Sequence, residues 1–485
     1  MTVPTTDTAV EAPGEPGNKA RTRPPRRGPA DLPFTFPDAA LAAALADDRA
    51  EPAWLRTERL AALEAYEGLP VEKNQLYTTY IDLRSSDLTG ARPYTRTADV
   101  PAGAAVALPD DTDALIDLRE DGVAGLVLSP AAATAGVVLE TFGAWLRRDE
   151  AGFRAAVDGG ATLPATDKLA QLTRAFWNQG VHLFVPAGVT LARPIVARWA
   201  AGVPDRALIT RTVVQLGAGS SASFVEELVA SGPVIECAAG EPVPQSLFTG
   251  TLEVELGAGS RLEVASIQEL PAGVTAFQHR DARIGVGATL HWALAQLGAR
   301  VLRSRVDNRL EGDRSSVEQV EIVFGSDEQV MDLTSYTHHV GRDTTGNLLS
   351  KGALMDGARS YMKGLITIER SAVGTDSFLG EFGMNLSRKT RAVAIPSLEI
   401  DQPDCRRAAH ASSVGPIDET QLFYLESRGI PPDEARKFIV LGFLEPVVAR
   451  VPLASAQDHL RGLLDAKWAA SSLVSASSGG SATAA

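Results

Sequence analysis

Hydrophobic and polar positions along this chain follow three successive patterns. Between residues 37 and 69, Leu41, Leu45, Trp54, Leu55, Leu60, Leu63 and Tyr66 fall largely at three- and four-residue steps, the period of a helix with one apolar face. Gly68 and Pro70 end the pattern, so an N-terminal helical region is expected over 33–95. From 96 to 200 the signals are mixed. An alternating run at 122–128 predicts a strand, the spacing predicts helices over 139–157 and 167–178, and a second strand is expected at 182–186.

From about 205 to 400 the period changes to two. Runs such as Leu252-Glu-Val-Glu-Leu256, Arg261-Leu-Glu-Val-Ala-Ser266 and Val317-Glu-Gln-Val-Glu-Ile-Val-Phe324 alternate apolar and polar residues, as strands with one buried face do. Turn sequences recur between them: Gly217-Ala-Gly-Ser220, Gly257-Ala-Gly-Ser260, Gly285-Val-Gly-Ala288, Gly312-Asp-Arg-Ser315 and Gly357-Ala-Arg-Ser360, at spacings of 40, 28, 27 and 45 residues. Short strands with Gly at the corners and no helices between them predict a β-solenoid whose coils stack on a common core. A β-sandwich is the competing fold. On such strands Glu253, Glu255, Glu318 and Glu321 are expected to form a solvated face.

After Gly415 the helical period returns. Asp418 with Gln421 three residues on resembles a capping box, Gly429 suits a left-handed stop, and Pro431-Pro432 opens a helix over 433–441. A further helix carries Leu460, Leu463, Leu464 and Trp468 on one face. A helical unit behind a solenoid either caps it or docks a partner.

Composition narrows the class. The 485 residues exceed one ordinary core, and a 45% hydrophobic content is that of a globular protein. A formal net charge of −14 opposes general binding to nucleic acid or anionic membranes. The two cysteines, Cys237 and Cys405, exclude a disulfide framework and point to a reducing compartment. With no apolar run of membrane-spanning length and no signal-peptide core, a cytoplasmic location is expected. The expected organisation is a disordered arm over 1–32 and the helical region over 33–95. A β-helix core follows over 96–415, its first part (96–200) mixed α/β, then a helical domain over 416–470 and a loose tail over 471–485.

Little in the chain carries chemistry of its own. There is no Gly-Lys dipeptide and hence no P-loop, and Gly-x-Ser-x-Gly, His-Glu-x-x-His and Cys-x-x-Cys are all absent. His338 and His339 are adjacent and would point to opposite faces of a strand. Cys237 reads as a small buried hydrophobe. Cys405 and His410 lie outside strong apolar patterning, and both side chains bind soft or borderline metals. Two ligands do not close a metal site, so any ion there needs further ligands from this chain or a partner.

The stretch Ala409-His-Ala-Ser-Ser-Val-Gly-Pro-Ile-Asp-Glu-Thr-Gln-Leu-Phe-Tyr-Leu-Glu-Ser-Arg-Gly-Ile430, followed by Ile439-Val-Leu-Gly-Phe443, resembles the signature of the SufB/SufD family of iron–sulfur cluster assembly scaffolds. Ala175-Phe-Trp-Asn-Gln-Gly-Val-His-Leu-Phe-Val-Pro-Ala-Gly-Val189, His339-Val-Gly341 with Thr345 through Gly352, and Trp54 with Leu69-Pro70 extend the resemblance over 54–445. Within the family the chain is similar to the SufD branch. Arg388-Lys-Thr390 occupies the segment where SufB-type proteins carry a cysteine on a strand. Ala408 stands where SufD-type proteins usually place a cysteine, leaving Cys405 as the nearby thiol and His410 as the family's histidine.

The resemblance implies a right-handed parallel β-helix between helical regions and a scaffold role without catalysis. It further implies pairing with a SufB-like subunit, or with a second copy in its absence, and docking of a SufC-like ABC-type ATPase on the C-terminal helical domain. Metal ligation is expected from His410 and Cys405, toward a transient iron–sulfur cluster or iron at the partner interface rather than a tightly bound cofactor. Alternatives are a SufB-like subunit that itself holds the cluster and, in another class, a β-helical carbohydrate-active enzyme.

Overall fold

The period-two runs become strands that alternate between two sheets, winding the chain through eight coils. The computed structural model describes residues 35–70, 83, 85–96, 107–157, 163–232, 243–451 and 454–471. The arm expected over 1–32, all but the first residue of the tail expected over 471–485, and Cys237 lie outside these. Coil 1 comprises Gln179–Val185 and Ile195–Ala201, coil 2 Arg206–Leu216 and Ser221–Ala230, coil 3 Ser246–Leu256 and Arg261–Gln268, and coil 4 Val274–Ile284 and Thr289–Gln296. Coil 5 comprises Val301–Leu310 and Ser316–Gly325, coil 6 Val330–His339 and Thr345–Leu354, coil 7 Arg359–Ile368 and Asp376–Asn385, and coil 8 Arg391–Ile400 and Arg407–Pro416. The first strand of each coil pairs in parallel with the first strand of the next, and the second with the second, giving two ten-stranded sheets. The fold is therefore mainly β, a β-solenoid with helical regions toward both ends of the chain, and not a sandwich.

The corners explain the glycine repeat. In the turns at 217–220, 257–260, 285–288 and 312–315 the third residue is left-handed, with φ of 66° at Gly219, 65° at Gly259, 62° at Gly287 and 57° at Arg314. The first residue must be Gly for a different reason, close stacking of one corner on the next. A Cβ at Gly312 would lie 2.1 Å from the Val286 backbone nitrogen. Where the fourth residue is Ser, its hydroxyl donates to the first carbonyl, at 2.8 Å for Ser220 to Gly217 and for Ser260 to Gly257. Gly357 does not belong to this series: it lies in the opposite corner, between Thr345–Leu354 and Arg359–Ile368. The true successor of Gly312 is Gly341, whose Cβ would lie 2.4 Å from the Gly312 carbonyl oxygen. The anomalous spacing thus came from mixing two corners.

Two helical layers flank the sheets. On the N-terminal side are α1 (Ala39–Asp48), α2 (Ala53–Gly68), α3 (Pro130–Thr134), α4 (Phe142–Arg148), α5 (Glu150–Val157) and α6 (Lys168–Phe176). The single helix expected over 139–157 is broken. Leu139 joins a strand, Val138–Thr141, antiparallel to coil 1, and Thr141 caps α4. Asp149 then interrupts the helix and accepts from the Gly152 N–H at 2.9 Å. Aromatic residues of α4, α5 and α6 (Phe142, Trp145, Phe153 and Phe176) pack with Ile209, Leu247 and Phe277 from the outer face of the first sheet. Buried Arg59 binds Glu51 at 2.7 Å and lies 4.1 Å from the Trp177 ring centroid, fastening α2 to the segment that leads into coil 1.

On the C-terminal side are α7 (Glu419–Ser427), α8 (Pro432–Val448) and α9 (Ala454–Ala469). Asp418 caps α7, and Gly429 adopts φ 87° behind it. Helix α8 runs past the expected end at 441, because Leu444, Val447 and Val448 bury against the outer face of the second sheet together with Leu460, Leu464 and Trp468 of α9. Helix α7 has no buried residue. No helix among the described residues is long and apolar enough to cross a membrane.

The lumen holds the main core, including Trp199, Trp292, Phe224 and Phe248. Acidic side chains are buried as well. Glu253 and Glu321, expected on a solvated face, are 1% and 0% exposed. Glu253 lies on the helix-covered outer face of the first sheet, paired with Arg211 at 2.8 Å, and Glu321 points into the lumen, where Ser304 and Gln296 donate to it at 2.8 and 3.0 Å. Helices cover part of the outer faces and coil stacking fills the lumen, so alternation along a strand does not by itself separate solvent from core.

Candidate functional site

The two ends of the solenoid differ. At its start the sheets are extended and closed by Ala114–Arg119, Gly122–Leu128 and Val138–Thr141, with antiparallel pairings in both sheets. At its finish, Arg391–Ile400 and Arg407–Pro416 are the last strands of their sheets among the described residues. Their outer backbone edges are therefore open to pairing.

His410 lies on this terminal strand. It is exposed, and in register it stands beside Leu379 of coil 7, so it lies on the lumen side of the sheet. Ala408, Ser412 and Val414 share that side by alternation. Cys405 is half-buried in the corner that leads into the strand. Three residue steps, about 10 Å of chain at 3.3 Å each, lead from the strand's first residue, Arg407, to His410. The fold thus gives the two side chains different settings: the imidazole stands on the open lumen rim and the thiol at its edge.

Beneath the rim lies a carboxyl that sequence reasoning missed. Glu381 is in register with Ser412, one coil further in, and is 1% exposed. Gly364 on the facing strand leaves room for it, since a Cβ there would lie 3.0 Å from Glu381 Oε1. Burial pushes the Glu381 carboxyl up to about 8, against weaker opposing help from an Ile395 backbone hydrogen bond and Lys363. It is therefore largely protonated at neutral pH. Glu321 shares this register row two coils back, and burial raises it as well. The signal was available: with a coil period near 29 residues, Glu321, Ser350, Glu381 and Ser412 form one ladder.

His338 and His339 face opposite sides as expected. His338 Nε2 lies 2.7 Å from Glu369, while His339 is buried against Thr344 and Ser377 at 2.8 and 3.0 Å. Burial lowers His339 to about 4, so it is neutral and structural.

Residues 199–443 match the family described as SUF system FeS cluster assembly, SufBD core domain. The chain belongs to this family. An iron–sulfur cluster assembly protein SufD from Bacillus subtilis is 29% identical over 430 residues, covering 86% of this chain and 94% of the relative. An iron–sulfur cluster assembly SufBD family protein from Staphylococcus epidermidis is 26% identical over 327 residues, 67% of this chain and 68% of the relative. A SufBD family protein from Mycobacterium leprae is 26% identical over 276 residues, 57% of this chain but 31% of that longer relative. The match covers coils 2 to 8, α7 and most of α8, and the near full-length similarity is to a SufD-type protein. The family is one of iron–sulfur cluster assembly proteins, not of carbohydrate-active enzymes.

Proposed function

We propose that this chain is a SufD-like scaffold subunit that pairs end to end with a SufB-type subunit and builds iron–sulfur clusters with it. The observation that carries the reading is the pair of uncapped terminal strands, Arg391–Ile400 and Arg407–Pro416, with His410 on their lumen rim. An open parallel edge binds another strand through backbone hydrogen bonds, and a second copy of the chain would use the same edge where the partner is missing. The cluster, or iron, is the cargo of this seam. His410 supplies an imidazole ligand to it, Cys405 stands near enough to the rim to take part, and a partner completes the coordination.

The α7–α8 hairpin serves as the dock for a SufC-type ATPase. Phe423, Tyr424 and Phe438 are 71%, 57% and 60% exposed, an apolar surface that a partner would cover. ATP hydrolysis comes from that partner, since this chain has no P-loop. The scaffold has no catalysis of its own and works in the cytoplasm.

Co-expression with the SufB-type and SufC-type proteins of the same source, followed by anaerobic iron and sulfide loading, tests this. The three are expected to co-purify and hold a cluster, and His410→Ala is expected to leave the complex intact while lowering its cluster content several-fold. A stoichiometric cluster on the isolated chain, or cluster loading indifferent to His410→Ala, overturns the reading.

A further inference from the structure

Coils 4 and 5 carry a group of ligating side chains on the outer face of the first sheet, far in sequence from His410. His279 and Asp281 are two residues apart on one strand and share a face, and Asp307 stands beside Asp281 in the register of the next strand. One ligand atom from each of the three residues lies within 4.8 Å of the other two. Asp281 and Asp307 line a cavity of about 420 Å³ that Leu163, Pro164 and Ala165 bound on the helical side.

The hydrogen bonding of the group is incomplete in a specific way. Asp281 is 4% exposed, and its Oδ1 has no hydrogen-bond partner among the described residues. A buried carboxylate oxygen without a donor is costly, on the order of a few kcal/mol. His279 is 5% exposed, and its Nδ1 is likewise without a partner among the described residues. Its Nε2 lies 2.7 Å from Asp307 Oδ2. Asp307 is itself oriented: Arg305 donates to both of its oxygens, at 2.7 and 2.9 Å, and to Asp167 at 2.8 Å. Asp167 caps α6 at the Leu169 and Ala170 N–H groups. This is the outer-shell support that metal ligands require.

A cation seated between the two Asp side chains would satisfy the orphaned Asp281 oxygen.

We propose that His279, Asp281 and Asp307 bind one divalent first-row transition-metal ion. An imidazole with two carboxylates suits Fe2+, Mn2+, Co2+ or Zn2+, whereas Ca2+ and Mg2+ prefer all-oxygen shells. Water in the cavity completes the coordination. The ion takes the place of the His279–Asp307 hydrogen bond, the hydrogen of the neutral ring moving from Nε2 to Nδ1. The ion would clamp coils 4 and 5.

The test uses the full chain carrying His410→Ala and Cys405→Ser, which removes the rim ligands, stripped with chelator and titrated with Co2+ by d–d absorption. One equivalent is expected to bind, with at least tenfold weaker affinity after Asp281→Asn or His279→Gln. No saturable uptake, or equal affinity in both variants, overturns the proposal. Should the variants unfold, crystals of the otherwise unaltered chain soaked in Co2+ decide the matter. An anomalous peak among the three side chains supports the site, and its absence overturns it.

Discussion

Leu379 and His410 stand side by side in the register of the second sheet, yet Leu379 is 0% exposed and His410 is exposed, because coil 8 is the last in the stack. The same ladder position is core in one coil and surface in the next. A partner that continued the stack would return His410 to a Leu379-like setting, enclosed and short of water. That is where an imidazole binds a metal more strongly than at an open surface.

The rim also carries Val414, 38% exposed. Val414→Lys adds a charge to the pairing edge but buries nothing in the isolated chain, so its stability should change by less than about 0.5 kcal/mol. Association with the SufB-type partner should weaken at least tenfold, about 1.4 kcal/mol, in a sedimentation or calorimetric titration. Unchanged association would move the interface away from coil 8.

Phe423 and Tyr424 project from α7, which has no buried residue. Their joint replacement by Ala should leave the melting temperature unchanged and cost about 2 kcal/mol or more in binding the SufC-type ATPase, as aromatic anchors at interfaces do. A surface-immobilised ATPase reads the loss directly. Full binding by the double variant would clear this hairpin of the role.

Stability should pass through a maximum at mildly acidic pH. Glu381 is raised to about 8, above its unfolded value of 4.5, so the folded chain holds a proton that the unfolded chain releases. Its contribution is complete below pH 4.5 and is lost as pH rises toward 8. His339 is lowered to about 4 from 6.5, so its contribution is present above pH 6.5 and is lost as pH falls toward 4. Urea midpoints measured from pH 4 to 9 should rise and then fall. Glu381→Gln should flatten the alkaline limb, worth on the order of 2–4 kcal/mol, and leave the acidic limb in place. An alkaline limb indifferent to Glu381→Gln would exclude it as the group responsible.

Gly312→Ala tests the stacking of the corners. Its Cβ would meet the Val286 backbone nitrogen at 2.1 Å, and backbone on backbone cannot give way cheaply. A loss of about 2 kcal/mol or more is expected in urea unfolding. Gly415→Ala is the control, because nothing lies within 4 Å of the added carbon. Equal effects would show that corner packing does not set the cost.

Much of this architecture was legible before any coordinates. Period-two runs with Gly-x-Gly-Ser corners identify stacked strands, because only small residues allow corner backbones to meet, and Asp418 and Gly429 mark their helix by capping chemistry alone. The motif around His410 pointed to the family. Three features were not legible. Gly357 looked like a member of the corner series because a four-residue pattern does not tell which corner of a coil it occupies. Residues 139–157 read as one helix because the pairing of Leu139 with Leu183 is a long-range contact. Glu253 and Glu321 read as solvated because alternation distinguishes two faces of a strand but not what covers them.

Local periodicity and turn chemistry, written in the sequence, determined that the chain would coil and where its corners would lie. Tertiary structure alone decided which face of each strand is lumen and which lies under a helix. It also decided that His279, Asp281 and Asp307 meet and that His410 stands at an open end. Each depends on coil-to-coil register, which joins residues about 29 positions apart and is set by how corners and side chains stack, not by any pattern within one coil.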